Sequence, residues 1–228
     1  MELPEAQDFE ASELGTKTYW DTVYNRENAN FKEIGDIGEI WFGEDSVERM
    51  VQWVTENVSD PESRIIDLGC GNGHLLLELS AEGYKNLHGI DYSESAITLA
   101  KSVAEHRGLE WIQYDAVDFL ASPPKGRFDT LLDKGTYDAI SLNPDQVQAK
   151  KDLVDGPREE YVKSVYGMMG PDSLFLITSC NWTEEELTNS FSKYLTYHSS
   201  VKYPVFQFGG QQGSKICTVA FKKASNTE

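Results

Sequence analysis

The chain predicts an α/β domain built on an open, mostly parallel sheet with helices on both faces, and three observations lead there. An apolar run, Ile65-Ile66-Asp67-Leu68, passes directly into Gly-x-Gly-x-Gly at Gly69, Gly71 and Gly73, the pattern of a buried strand that turns sharply into a helix. Short apolar runs then alternate with segments of helical periodicity through most of the chain, as βα units do. Four of those runs end in an acid, at Asp67, Asp91, Asp115 and Asp133. Open parallel sheets bind ligands beyond the carboxyl ends of their strands, so the four acids are expected to face one crevice.

A length of 228 residues suits one hydrophobic core. The domain is assigned to residues 15–222, with an acidic head over 1–14 and a short tail over 223–228 read as solvated. Twenty Lys and Arg against 38 Asp and Glu give a net charge of -18, which repels polyphosphate backbones and disfavours a nucleic-acid substrate. A basic protein is the more natural partner. The head lacks a basic region and an apolar run, so no signal peptide is expected, and no stretch reaches the roughly 20 apolar residues of a membrane span. Cys70, Cys180 and Cys217 have neither CxxC nor metal spacing. The expectation is a reduced intracellular protein, cytoplasmic with the nucleus also open, acting as a monomer.

In chain order, Tyr19, Trp20, Val23 and Tyr24 fall at helical spacing; their rings either pack on the domain or cover a ligand. Val47, Met50, Val51 and Val54 mark a second helix, with Asp45 or Ser46 as its N-cap. The Trp41-Phe42 pair before it either plugs the core or lines the site opening. Strands are expected over 64–68, 87–90, 109–114, 128–132 and 173–178. Helices follow the glycines, Ser93 and Arg158, and Thr183 with Glu186 forms a capping box for another. The segment DKGTYDAISLNPDQ reads as an irregular loop. Strands over about 200–208 and 215–221, joined by GGQQGS, read as a closing hairpin that sets the last strand antiparallel to its neighbour.

The glycine turn is shared by several cofactor classes. The nicotinamide fingerprint needs a glycine three positions after Gly71, where this chain has His74. Asp91 lies 20 residues beyond Gly71, where its carboxylate can accept from both ribose hydroxyls of an adenosine. Asp115 is placed to receive the adenine amine. There is no GxxxxGK[ST] loop, no HExxH and no Cys/His ligand cluster. These features point to an adenosine cofactor without required phosphate contacts, which S-adenosylmethionine fits, and to no metal.

IIDLGCGNG, the acid in HGIDYS, and YDAVDF resemble the motifs of the seven-strand S-adenosylmethionine-dependent methyltransferases. LGTKTYWDTVYNRE, GDIGEIWFGE, LLDKGTYDAISL and ITSCNWTEEEL are similar, more narrowly, to the eukaryotic lysine methyltransferases that modify translation elongation factor 1-alpha. The resemblance spans about Leu14 to Phe221. It implies a Rossmann-like class I methyltransferase fold, seven strands with a C-terminal antiparallel hairpin strand, and S-adenosylhomocysteine as product. It further implies that Gly69, Cys70, Gly71 and Gly73 hold the methionine moiety, Asp91 with Tyr92 the ribose, and Asp115-Ala116 the adenine. Trp41, with Trp20 or Tyr24, closes the pocket from a covering segment over 15–58. Asp67 either orders the glycine loop or reaches the donor's ammonium group.

For the reaction, Asp133 is the main candidate to orient the lysine ammonium; alternatively it binds the donor's methionine end or holds its loop by backbone hydrogen bonds. Tyr137, Asn181 and Trp182 are candidates to wall a lysine channel, with loop packing as the other reading. Small-molecule methyl transfer on the same fold and non-catalytic cofactor binding are the alternatives to a protein-lysine enzyme.

Overall fold

The computed structural model describes residues 9–203, 206–208, 211–213 and 216–224. The strands β1 (Arg64–Leu68), β2 (Asn86–Asp91), β3 (Gln113–Ala116), β4 (Phe128–Lys134) and β5 (Met169–Ser179) run parallel. The last strand β9 (Cys217–Lys223) inserts antiparallel between β5 and β6 (Leu195–Val201). The seven-stranded order is β3-β2-β1-β4-β5-β9-β6. The strand order reverses at β1 and β4, the switch point where open sheets take ligands.

Strand alternation sorts the core into two layers. Ile65, Leu174, Leu176 and Ala220 point to one face, among side chains of α2 (Gly43–Asn57), α3 (His74–Ala81) and α4 (Glu94–His106). Ile66, Leu68, Phe175, Ile177, Val219 and Phe221 point to the other, under α5 (Thr136–Ser141), α7 (Pro157–Met168) and α8 (Glu184–Phe191). Helix α1 (Lys17–Ile34) lies across α4, tied by Asn28 Nδ2 to Ser95 O at 2.7 Å and by Ser93 Oγ to Asp21 Oδ1 at 2.7 Å.

Several expectations need correction. Helix α2 starts at Gly43, ahead of Asp45 and Ser46, because Phe42 and Gly43 both take left-handed φ (64° and 73°) and reverse the chain there. Strand β3 begins at Gln113, since Leu109 N and Ile112 N turn back onto Ala104 O and Leu109 O. DKGTYDAISLNPDQ forms α5 and α6 (Pro144–Asp152) instead of a loop, with Asp133 accepting the first amides of α5 and Asn143 capping α6. The expected closing hairpin is split. Phe206–Phe208 (β7) and Gln211–Gly213 (β8) pair as a small ribbon, while β9's partners are β5 and β6.

The packed domain begins earlier than the expected residue 15: Phe9 packs edge-on against Trp182 at 4.9 Å, Ser12 N donates to Leu142 O, and Glu13–Gly15 forms a 3-10 turn. Residues 1–8 and 225–228, and Gly209, Gly210 and Ser214 of GGQQGS, lie outside the described residues.

Candidate active site

The β1–α3 turn builds the floor of the site. Gly69 and Gly71 have φ of 72° and 53°, a region that suits glycine. Their missing Cβ atoms make room for the protein itself: a Cβ at Gly69 would meet Thr136 Oγ1 at 2.1 Å, and one at Gly71 would meet Tyr24 Oη at 2.5 Å. Thr136 Oγ1 donates to Leu68 O at 2.6 Å, so α5 is locked onto the end of β1 through the space the glycine leaves.

Asp91 closes β2 with both carboxylate oxygens in use, Oδ2 accepting from Gly71 N at 3.2 Å and Oδ1 from Ser93 N at 2.9 Å. Each oxygen keeps a lone pair for a ligand hydroxyl. Burial raises its pKa to about 6, opposed by those two backbone N–H groups. The aromatic cover comes from α1 and the segment before α2. Trp20 meets Trp41 at 4.8 Å and stacks with Tyr24 at 6.0 Å, and its Nε1 donates to Leu14 O at 2.8 Å.

These pieces enclose a cavity of about 190 Å³. Of the residues expected from sequence to hold the cofactor, Trp20, Tyr24, Trp41, Gly69, Cys70, Gly71, Asp91 and Tyr92 line it. Gly73, Asp67, Asp115, Ala116 and Asp133 do not. The space beside Gly73 is taken by Tyr114, whose Oη would meet a Cβ at 2.6 Å. Asp67 is buried one residue short of the end of β1, its pKa raised by burial to about 7 and held down by Lys134. Asp115 turns outward, with Oδ2 2.9 Å from His88 Nε2. The acid at that edge of the cavity is Asp118, with Phe119 and Leu120 beside it. Asp118 Oδ1 accepts from Leu120 N at 3.1 Å, fixing the turn after β3.

The expected lysine-channel residues sit elsewhere. Asp133 is fully buried and accepts from Thr136 N at 2.9 Å, Tyr137 N at 3.0 Å and the Tyr161 hydroxyl. It caps α5, and burial raises its pKa to about 8. Tyr137 and Trp182 are buried with ring centroids 5.6 Å apart, and Trp182 Nε1 donates to Ser141 Oγ at 3.2 Å. Asn181 is half-buried, its N–H donating to Ser179 Oγ at 3.1 Å. All four lie outside the cavity lining. The hydrogen bonds and ring contacts of Asp133, Tyr137 and Trp182 are those of the loop-packing reading. Buried Asp138 serves the same wall, accepting from Cys180 N at 2.8 Å and from the Ser179 hydroxyl.

Sequence reasoning passed over Lys134, which lines the cavity and donates from Nζ to Trp41 O at 3.1 Å. Burial pushes its pKa down, while Asp67 and Asp133 support the charge. The signal available was a lysine directly after a strand-ending acid in DKGTYDA. Also missed were Asp118, Thr136, Ile140 and Asn143 in the cavity wall. The last three became visible as wall residues only when the supposed loop proved to be two helices.

The fit to S-adenosylmethionine rests on this lining: a strand-end carboxylate with spare acceptors, a second acid in the turn after β3, an aromatic cover, and the glycine turn. Among the described residues no group of three or more His, Cys, Asp or Glu could hold a metal ion. Fold and cavity together define a class I, S-adenosylmethionine-dependent methyltransferase. A family model described as "Methyltransferase domain" matches residues 59–223, and the chain belongs to that family.

Within it, the chain belongs to the protein-lysine methyltransferases that include EEF1A lysine methyltransferase 2. It is 44% identical to that protein of Danio rerio over 222 residues, covering 96% of this chain and 91% of the relative. It is 43% identical over 231 residues to protein-lysine N-methyltransferase efm4 of Schizosaccharomyces pombe, covering 92% and 94%. Among solved structures, magnesium protoporphyrin IX methyltransferase from Synechocystis, with bound SAM, superposes with a TM-score of 0.65 at 13% identity, covering 94% of this chain and 99% of that one. The last likeness speaks to the fold alone.

Proposed function

We propose that this protein transfers a methyl group from S-adenosylmethionine to a lysine side chain of translation elongation factor 1-alpha. The observation that carries the reading is the 44% identity, over nearly the whole chain, to a relative named for that substrate. The donor cavity supports it, with Asp91 and the aromatic cover positioned on the carboxyl edge of the sheet. The acidic surface, at a net charge of -18, suits a basic protein partner.

When bound, the donor supplies a sulfonium methyl group that passes to the lysine nitrogen as the S–CH3 bond breaks and the amine releases a proton. Asp91 and Tyr92 would hold the sugar end, and Asp118, Phe119 and Leu120 would border the base. A lysine with an ordinary pKa near 10.4 needs roughly 3 to 5 kcal/mol to be presented neutral at physiological pH. Apolar Trp41, Ala139 and Ile140 in the wall exclude water. The ammonium of Lys134, fixed on Trp41 O, disfavours a second cation nearby, and both effects lower the acceptor's pKa.

The test is incubation with isotopically labelled donor and purified elongation factor 1-alpha, followed by mass spectrometry. Label on a lysine of the factor is the expected result. Label confined to other proteins of a cytosolic extract would replace the substrate, and the absence of any transfer would remove the enzymatic reading.

A further inference from the structure

We infer that Glu39 is the residue that receives the acceptor lysine's ammonium group at the mouth of the donor cavity. This role rests on the substrate reading above and adds an acceptor-binding residue to it. A lysine arrives protonated, and a carboxylate beside its path binds the charged form. Asp133 cannot serve, because its carboxylate is buried and taken by two amides and the Tyr161 hydroxyl.

Among the described residues three acids line the cavity, Glu39, Asp91 and Asp118. Asp91 has an amide on each oxygen and is assigned to the sugar. Asp118 Oδ1 accepts from Leu120 N at 3.1 Å and from Ala121 N at 3.4 Å, and it stands just after β3, which β2 and β1 separate from β4. Glu39 differs from both. It is exposed, and among the described residues it makes no hydrogen bond and no ion pair. Arg26 feels its charge, but that guanidinium is committed to Glu27 Oε1, at 2.7 and 3.1 Å.

The backbone around Glu39 is held from both directions. Ile37 O accepts from Asn72 Nδ2 of the glycine turn at 3.0 Å, and Trp41 O accepts from Lys134 Nζ at the end of β4 at 3.1 Å. The Trp41 ring reaches Gly135, where an added Cβ would meet its Cε3 at 3.0 Å. Residues 37–41 therefore span from the glycine turn to the β4–α5 turn, with Glu39 midway in sequence. That is the half of the cavity away from Asp118, where the donor's methionine end would lie. Because the chain is fixed on each side, a loose segment does not account for the unpaired carboxylate.

Two ammonium groups come to this half of the cavity, the donor's own and the acceptor's. The donor's would lie beneath the aromatic cover, whereas Glu39 is exposed in the rim and meets what enters from solvent. The ring of Trp41, two residues on, adds an aromatic face that attracts a cation. The half-buried Lys134 ammonium, in the wall of the same cavity, disfavours a second cation. The rim thus holds the lysine charged and the interior favours it neutral, the form that can take the methyl group.

The experiment compares the unaltered protein with Glu39→Gln and Glu39→Asp, using full-length elongation factor 1-alpha as substrate and calorimetry for the donor. Glu39→Gln removes the charge and keeps the size. It is expected to raise KM for the factor about tenfold, through the loss of one charge-assisted hydrogen bond, with kcat within about threefold. Donor affinity and melting temperature are expected within about twofold and 2 °C of the parent. Glu39→Asp is expected to recover most of the KM, a rescue that a purely structural role does not give. A KM in Glu39→Gln equal to the parent's would overturn the assignment and leave the substrate reading intact. A larger loss of donor affinity would overturn it in favour of the donor's own ammonium. A parent that methylates a lysine of another protein would overturn the substrate reading alone, and the same KM comparison on that protein then tests Glu39. A parent that methylates no lysine would overturn both.

Discussion

Asp91 and Asp133 are the same residue type at the same kind of place, the end of a parallel strand, yet they serve different ends. Asp91 accepts two backbone N–H groups and opens onto the cavity. Asp133 accepts two backbone N–H groups and a phenol, with nothing of it exposed. The rings around them differ in the same way. Trp20, Tyr24 and Trp41 line open space, whereas Tyr137 packs on Tyr161 and Trp182, and Tyr137 and Tyr161 both pack on Phe191. What separates binding from scaffold is whether a buried acceptor's lone pairs are already consumed by the protein.

The sharpest way to break this comparison is to remove both acids. Asp133→Ala strands the Tyr161 hydroxyl and two amides, and should cost about 3 kcal/mol or more of stability, a fall of roughly 6 to 12 °C in melting temperature. Asp133→Asn, which keeps an acceptor, should retain most turnover. A loss of turnover in Asp133→Asn at full donor affinity and full stability would restore this residue to the reaction. Asp91→Ala should instead weaken donor binding on the order of 100-fold by calorimetry, through two lost charge-assisted hydrogen bonds. An unchanged dissociation constant would remove Asp91 from the site.

pH sharpens the contrast further. With a folded pKa of about 6 for Asp91, and ligand hydroxyls bound by the ionised form, donor affinity should fall as pH drops below 6, approaching tenfold per unit. Asp133, at about 8, holds its proton in the folded state where the unfolded chain releases it. Its contribution therefore runs the other way: stability declines as pH rises from about 4 to 8, by up to about 1.4 kcal/mol per unit. Denaturant titrations of Asp133→Asn should show a shallower decline over that window. A slope equal to the parent's would mean that the residue is ionised when folded.

The smallest expected effect is that of Lys134→Met, which releases Trp41 O from its donor. Donor affinity should drop about fivefold, close to 1 kcal/mol, and tryptophan emission should report a looser Trp41. Identical affinity and emission would show that the covering segment holds itself.

Much of this was legible in the residues. The apolar run of β1, the capping box at Thr183 and Glu186, and the cap at Ser93 formed where the pattern placed them. Local hydrogen bonding and strand alternation are short-range, so a linear reading captures them. Gly69, Gly71 and Asp91 in the cavity lining were accessible for the same reason, because the glycine turn and the strand-end acid are themselves local features; Trp20, Tyr24 and Trp41 were expected there only through the family resemblance.

The sequence by itself determined the parallel sheet, the glycine turn at the end of its first strand and the strand-end acid, Asp91, that borders the cavity. Only the tertiary structure decided that Asp115 turns out to His88, that Asp133, Tyr137 and Trp182 are buried against partners of their own, and that Lys134, Asp118 and Asn143 line the cavity. The reason is that an acid or a ring reads the same in one dimension whether it faces space or a partner. Which partner takes up its hydrogen bonds is settled by residues far along the chain, as Tyr161 does for Asp133 and Trp41 for Lys134.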